Sequence, residues 1–375
     1  MSMSDGARVR VYHGWTRRYL GDLVGLGAVE MSFDQHGPAE ARIEGPRGLP
    51  QWTLDRIAPG ARGVFIEIDA RAIGIPDVWL GQATLPQDRP GSPVTIQCLG
   101  PEAWLDKIGV AGQEIITRPA GAIIARELAR LDVDSGLVIG DELHHGGAGE
   151  FDLAGHSLWS LMTELEDARL ERFCLKAIPG QARLRVVWRD RLDARDNTGL
   201  VLSRENMADD YQVAARLDTE VLSVAGVANS YEWGSQQGAA AVAVQGSAAM
   251  GLLAGLGSTG LASTAARLTG QGPTALAPHV PGLNAMRQQL ESEAKRRRTA
   301  TGSLSGRVVG TQTADMWGKV TPSDLVSVRL EDDSLGLFRV SIGQLTSVSY
   351  ALGLETAMAV SAELWALESA AGEGQ

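Results

Sequence analysis

Gly302-Ser-Leu-Ser-Gly-Arg-Val-Val-Gly310, Pro322-Ser-Asp-Leu-Val-Ser-Val-Arg-Leu330, Leu337-Phe-Arg-Val-Ser-Ile342 and Thr346-Ser-Val-Ser-Tyr350 are four runs near the end of the chain. In them, core-type residues recur at every second position. Leu325, Ser327 and Arg329 alternate with Val326, Val328 and Leu330, and Val340 and Ile342 precede Val348 and Tyr350. A period of two is the mark of half-buried strands. The breaks carry turn residues, Thr-Pro-Ser-Asp at 321–324 and Asp-Asp-Ser-Leu-Gly at 332–336. These runs predict a small antiparallel sheet or barrel with no active-site motif in it.

The same signature opens the chain. Val29-Glu-Met-Ser-Phe33 and Ala39-Glu-Ala-Arg-Ile-Glu44 alternate across a hairpin link at Asp34-Gln-His-Gly-Pro38. Val64, Ile66 and Ile68 face one way while Phe65, Glu67 and Asp69 face the other; Val78-Trp-Leu80 and Val94-Thr-Ile-Gln-Cys98 follow. Many short strands at regular spacing predict a barrel or sandwich over residues 8–105. Between the two β regions the pattern changes. Pro119 opens a helix over 120–131, with Ile123, Ile124, Leu128 and Leu131 on one face. A second helix over 157–168 turns Leu158, Leu161, Met162 and Leu165 inward. Phe173-Cys-Leu-Lys176 and Leu184-Arg-Val-Val-Trp188 make a hairpin around Pro179-Gly180. The fold class is α+β, mainly β. The expected divisions are residues 1–105, an α/β module at 106–195, a second β domain from 196–232 and 302–365, an insertion at 233–301, and a polar tail at 366–375.

The 375 residues suffice for two or three cores, and 44% hydrophobic with 21% charged residues is ordinary globular composition. A net charge of -11 disfavours non-specific grip on nucleic acid. The first residues, Met-Ser-Met-Ser-Asp-Gly-Ala-Arg, hold no apolar secretory core, so synthesis and first use in the cytoplasm are expected. Cys98 and Cys174 sit in apolar runs and are expected as buried free thiols.

Between Glu232 and Arg267 there is no charged residue, and Ala and Gly dominate. Three readings stay open for this stretch. It is a flexible or subunit-packed loop hidden in an oligomer, a membrane-active segment at 238–263 with the Ala/Gly composition of fusion peptides, or a buried hairpin within the chain. A transmembrane helix is disfavoured by its glycines. An uncovered apolar stretch of this size is a liability on a monomer, so it argues for an oligomer. An amphipathic helix is expected over 283–298, with Lys295–Arg298 as its solvated basic end.

Chemistry was sought in two places. His144, His145, Glu150, Asp152 and His156 fall within a short span, but their spacing fits no zinc motif. Glu164, Glu166 and Asp167 offer carboxylates of the kind used in glycoside cleavage, yet helix spacing alone accounts for them as a helix surface. No nucleophile elbow, P-loop or dinucleotide fingerprint is present. No catalytic residue, cofactor or metal is assigned.

The order of parts resembles the tail-tip, or baseplate hub, proteins of tailed bacteriophages, including minor tail proteins of siphophages. The resemblance lies in Leu20-Gly-Asp-Leu-Val24 with the strand pair across Gly37-Pro38, Val78-Trp-Leu-Gly81, and Val94-Thr-Ile-Gln-Cys-Leu-Gly100 with Trp104-Leu105. It continues in Ser157-Leu-Trp-Ser-Leu-Met162, Val221-Leu-Ser-Val-Ala-Gly226 and Pro322-Ser-Asp-Leu-Val-Ser-Val328. It implies two hub-type antiparallel β-barrels and a homotrimeric ring in the virion. Such a ring adapts the tail tube to the tip around a lumen that passes DNA. The partners expected with it are the distal tail protein, the tape-measure protein, and fibre or receptor-binding proteins; transient contact with the host membrane belongs to the membrane-active reading of 238–263. The long neutral insertion departs from the simplest hub pattern. Two other functions are carried beside it: a cell-wall hydrolase using Glu164, Glu166 or the His144–His156 loop, and a membrane-penetrating component acting through 238–263.

Overall fold

The structure, a computed structural model, describes residues 6–14, 16–45, 64–84, 94–110, 115–131, 138–143, 148–169, 171–190, 196–216, 223–230, 236–243, 301–330, 340–353 and 356–366. Seven strands come first: β1 (Arg8–His13), β2 (Tyr19–Leu23), β3 (Ala28–Asp34), β4 (Gly37–Glu44), β5 (Val64–Asp69), β6 (Trp79–Ala83) and β7 (Thr95–Leu99). An α/β module follows: α1 (Glu102–Leu105), β8 (Ile115–Pro119), α2 (Ala120–Leu131), β9 (Val138–Leu143), β10 (Ala148–Asp152), α3 (Leu158–Arg169), β11 (Glu171–Ile178) and β12 (Arg183–Asp190). The last part holds β13 (Asp196–Ser203), β14 (Gln212–Arg216), β15 (Ser223–Ser230), β16 (Gln236–Ala243), β17 (Thr301–Val308), α4 (Thr311–Met316), β18 (Leu325–Arg329), β19 (Val340–Leu352) and β20 (Ala357–Ala366).

The first and last groups of strands form one sheet. Its order is β14-β17-β20-β19-β3-β4-β7-β6-β5-β1-β2, and β18 and β13 branch from β19. The hinge of this arrangement is β19. The expected runs ending at Ile342 and Tyr350 are a single long strand. Its first half pairs with β18, and its second half pairs with β3, antiparallel. The ladder to β20 slips between Leu345 and Ser347, the irregularity that lets one strand serve two neighbours on the same edge. Register at the β3–β19 seam sets Phe33 opposite Val348, Met31 opposite Tyr350 and Val29 opposite Leu352. All six are buried, while Glu30, Ser32, Ser347 and Ser349 between them are not. The period-two pattern of the sequence therefore runs unbroken across the seam, and a slip of one residue would turn it inside out. One core lies under both groups, taking Val9 and Ile66 from the first and Leu304, Val326 and Leu364 from the last. Expected as two barrels, the groups are not closed by any ladder among the described residues.

β5 is buried along its whole length. Val64, Ile66 and Ile68 enter the shared core, and Phe65 enters a second core on the other face of the sheet. That second core joins Tyr12, Phe65 and Leu80 to Ile123, Leu161 and Trp188 of the α/β module. The module's helices form as their sequence dictates. Ile123, Ile124 and Leu128 of α2 are buried, as are Leu158, Leu161, Met162 and Leu165 of α3. Ser157 caps α3: the Ser160 amide donates to its Oγ at 3.0 Å, and the Ser157 amide donates to Ser160 Oγ at 2.9 Å. β12 lies between β11, antiparallel, and β9, parallel.

β15 was expected in the second strand group. It pairs instead with β16, antiparallel, in a ribbon separate from the large sheet. β14 and β17 are direct neighbours with Arg216 opposite Thr301, so the ladder brings the two ends of the 217–300 segment together. Replacing residues 217–300 by a two-residue Asn-Gly turn is therefore expected to leave the sheet intact. Loop closure costs about 0.6 kcal/mol less for each halving of length, so the melting temperature should hold or rise. Circular dichroism and thermal melting check this; loss of the cooperative transition would show that the excursion is part of the core. The expected helix at 283–298 lies outside the described residues.

Candidate functional site

Three joints between the parts of the molecule carry hydrogen-bonded polar groups. The first joint is on β5. Glu67 is fully buried. Its Oε1 pairs with the Arg10 guanidinium, and its Oε2 accepts from Tyr12 Oη at 3.2 Å. The amide of Gly180, in the turn between β11 and β12, donates to both carboxylate oxygens at 3.1 and 2.9 Å. A buried carboxylate is stable only when its lone pairs are taken, and here the partners come from the sheet and from the module. Burial pushes the Tyr12 phenol up, and the Glu67 charge adds to it.

Asp69 continues this network at the end of β5. Arg71 grips it through Nε and Nη2, each at 2.8 Å, and Arg10 Nη1 lies at 3.3 Å. The Arg71 side chain is the main reason its carboxyl is held down, from 3.8 to about 2; burial opposes this, and the Arg71 amide and the two guanidinium charges assist. A depressed carboxyl stabilises the fold above its unfolded value and loses that contribution as pH falls through the folded value. Wild-type stability should therefore drop between about pH 4 and pH 2 more than that of Asp69→Asn. Urea titrations across that window test it, and parallel curves for the two proteins would refute it.

The second joint is the turn between β3 and β4. Asp34 Oδ1 accepts from the amides of His36 (2.8 Å) and Gly37 (3.0 Å), an Asx-type turn. Gly37 has φ +126°, and a Cβ there would overlap the Leu175 carbonyl oxygen, so only glycine lets the turn seat on β11. The Leu175 amide donates to the His36 carbonyl at 2.7 Å. The His36 ring stacks on Phe173 (4.5 Å, 20°), which stacks on Trp188 (5.8 Å, 8°), with Trp159 edge-on to His36 and Phe173. Its Nε2 lies 2.7 Å from Glu166 Oε2.

This placement corrects the helix-surface reading for Glu166 alone. Glu166 is buried and committed to His36, whereas Glu164 is exposed, its Oε1 3.5 Å from His156 Nδ1. The two do not converge on a shared substrate position. Among the described residues no hydroxyl or thiol is hydrogen-bonded to His36. Asp167 lies in the last turn of the same helix. His144 and His145 lie outside the described residues, and Glu150 and Asp152 are ladder positions of β10 opposite Thr117 and Ile115. Cys98 is buried and Cys174 half-buried, both as free thiols. Burial pushes the Cys174 thiol up to about 11 and raises Cys98 further still, so neither is a ready nucleophile. No helix among the described residues is long and apolar enough to cross a membrane.

A third joint ties the last strand group to the first. Trp317 Nε1 donates to the Ile73 carbonyl at 2.8 Å, and Gly318, at φ +65°, lies against the Gly74 carbonyl. A cleft of about 690 Å³ opens where all three parts meet, between the β3–β4 turn, β11 and residues 318–324. Its carboxylates are engaged: Asp34 by its turn, Asp77 by Lys176 at 3.9 Å, and Asp324 by the Thr321 amide at 2.9 Å. Sequence reasoning passed over His36 and Glu67. The alternation of Phe65, Glu67 and Asp69 reads as an ordinary solvated face, so only the packing of the module on β5 reveals Glu67.

The whole arrangement, with one sheet carrying both strand groups and the α/β module latched on one face, has solved counterparts. A tail protein from Neisseria meningitidis MC58 superposes with a TM-score of 0.52 at 12% identity, covering 96% of both chains. The chain has the fold of phage tail proteins. The 43 kDa tail protein of prophage MuSo2 from Shewanella oneidensis gives 0.51 at 12% identity, over 96% of this chain and 98% of that one. Prophage tail protein gp18 from Listeria monocytogenes EGD-e gives 0.56 at 10% identity, over 95% and 94%. No protein-family model matches the chain, and no curated protein sequence matches it.

Proposed function

We propose that this chain is a structural protein of a phage tail, and that it serves as the hub of the tail tip. The observation that carries this reading is the whole-length likeness to tail proteins, which spans at least 94% of each chain compared and so takes in the sheet and the module together. The geometry supports it. Two buried carboxylates, Glu67 and Glu166, join the α/β module to the sheet through Gly180 and His36, which suits a scaffold. The β3–β19 seam supports the ring form of the reading. Two groups of strands joined edge to edge in one chain can repeat in three chains as six similar units around a lumen. In this proposal residues 1–105 and 196–232 with 302–365, apart from the β15–β16 ribbon, are the two ring-building units, and 106–195 is the module carried outside them. The partners are two further copies, the distal tail and tape-measure proteins, and fibre or receptor-binding proteins, and the location is the virion tail tip. A net charge of -11 fits a lumen that passes DNA without gripping it.

The test is the mass of the purified full-length chain by light scattering during size exclusion, over a hundredfold range of concentration, followed by electron microscopy. The expected result is a particle of three times the chain mass that appears as a ring. A monomer at every concentration, or a closed dimer, overturns the ring.

A further inference from the structure

We draw no further inference here: the strongest candidate, the cleft of about 690 Å³ where the β3–β4 turn, β11 and residues 318–324 meet, has its carboxylates already engaged by backbone amides and by Lys176, and nothing in the structure shows what covers it.

Discussion

Glu67→Ala is expected to lower stability by about 3–5 kcal/mol, the usual cost of removing one partner from a buried ion pair. The size follows from what is left behind. Arg10 keeps a charge at a position where its side chain is only 14% exposed. Tyr12 Oη loses its acceptor, and the Gly180 amide loses both of its contacts with the carboxylate. An orphaned buried donor costs about 1–3 kcal/mol, so several at once account for the total without any change in apolar packing. Glu67→Gln separates charge from hydrogen bonding. It keeps one acceptor for Gly180 but removes one of Arg10's two counter-charges, leaving only Asp69 at 3.3 Å, and it should fall between the wild type and the alanine variant. Denaturant unfolding of the three proteins measures this. A Glu67→Ala loss below about 1 kcal/mol would mean that the latch is not what holds the module on the sheet. Because Glu67 binds the β11–β12 turn, the damage should also be local. Amide exchange in residues 178–183 should accelerate before that in the shared core, whose strands open only with the whole molecule.

How much of this was legible beforehand depends on which forces acted alone. Helices α2 and α3 fall where the spacing of Ile123, Ile124, Leu158 and Leu161 put them, because a helix needs only local bonds and one apolar face. β3, β4, β11 and β12 were legible for the same kind of reason. β20 was not read, although Met358, Val360, Ala362 and Leu364 are buried at alternate positions. Its interleaved Ala357, Ala359 and Ser361 blur the contrast between faces on which strand recognition depends. β19 was read as two runs because the register slip after Leu345 breaks the alternation, and that slip exists only to satisfy two neighbouring strands. The joining of both strand groups into one sheet lay beyond the sequence for a deeper reason. Pairing β3 with β19 brings together residues more than three hundred positions apart, and alternation says which face is buried but not which strand lies alongside. His36 and Glu166 were each visible as types of residue. Their contact was not, since it arises only once the turn has seated on β11.

The seam also makes the largest prediction about packing. Tyr350 is buried where the two strand groups meet, its ring edge-on to Trp317 at 5.0 Å and to Phe33 at 6.4 Å. Burial holds its phenol up at about 12 against a hydrogen bond from the Gly318 backbone, so the side chain stays neutral at any ordinary pH and its ring packs as an apolar body. Tyr350→Ala removes that body from under both groups and should cost about 3–5 kcal/mol, as large aromatic truncations in cores do. Tyr350→Phe keeps the ring and should cost far less, which separates packing from the hydroxyl. The form of the unfolding matters as much as its midpoint. Val9, Ile66, Leu304 and Leu364 share one core, so the strand groups should melt together in a single calorimetric transition, and Tyr350→Ala should shift that transition without splitting it. Two separable transitions in the wild type, with Tyr350→Ala moving only the later strands, would show that the groups fold independently and that the ladder between β3 and β19 merely abuts them. The same variant bears on assembly. If the relative setting of the two groups is what lets three copies close, loosening the seam should broaden or abolish the trimer at temperatures where the monomer is still folded, whereas a ring held through other surfaces would keep its mass.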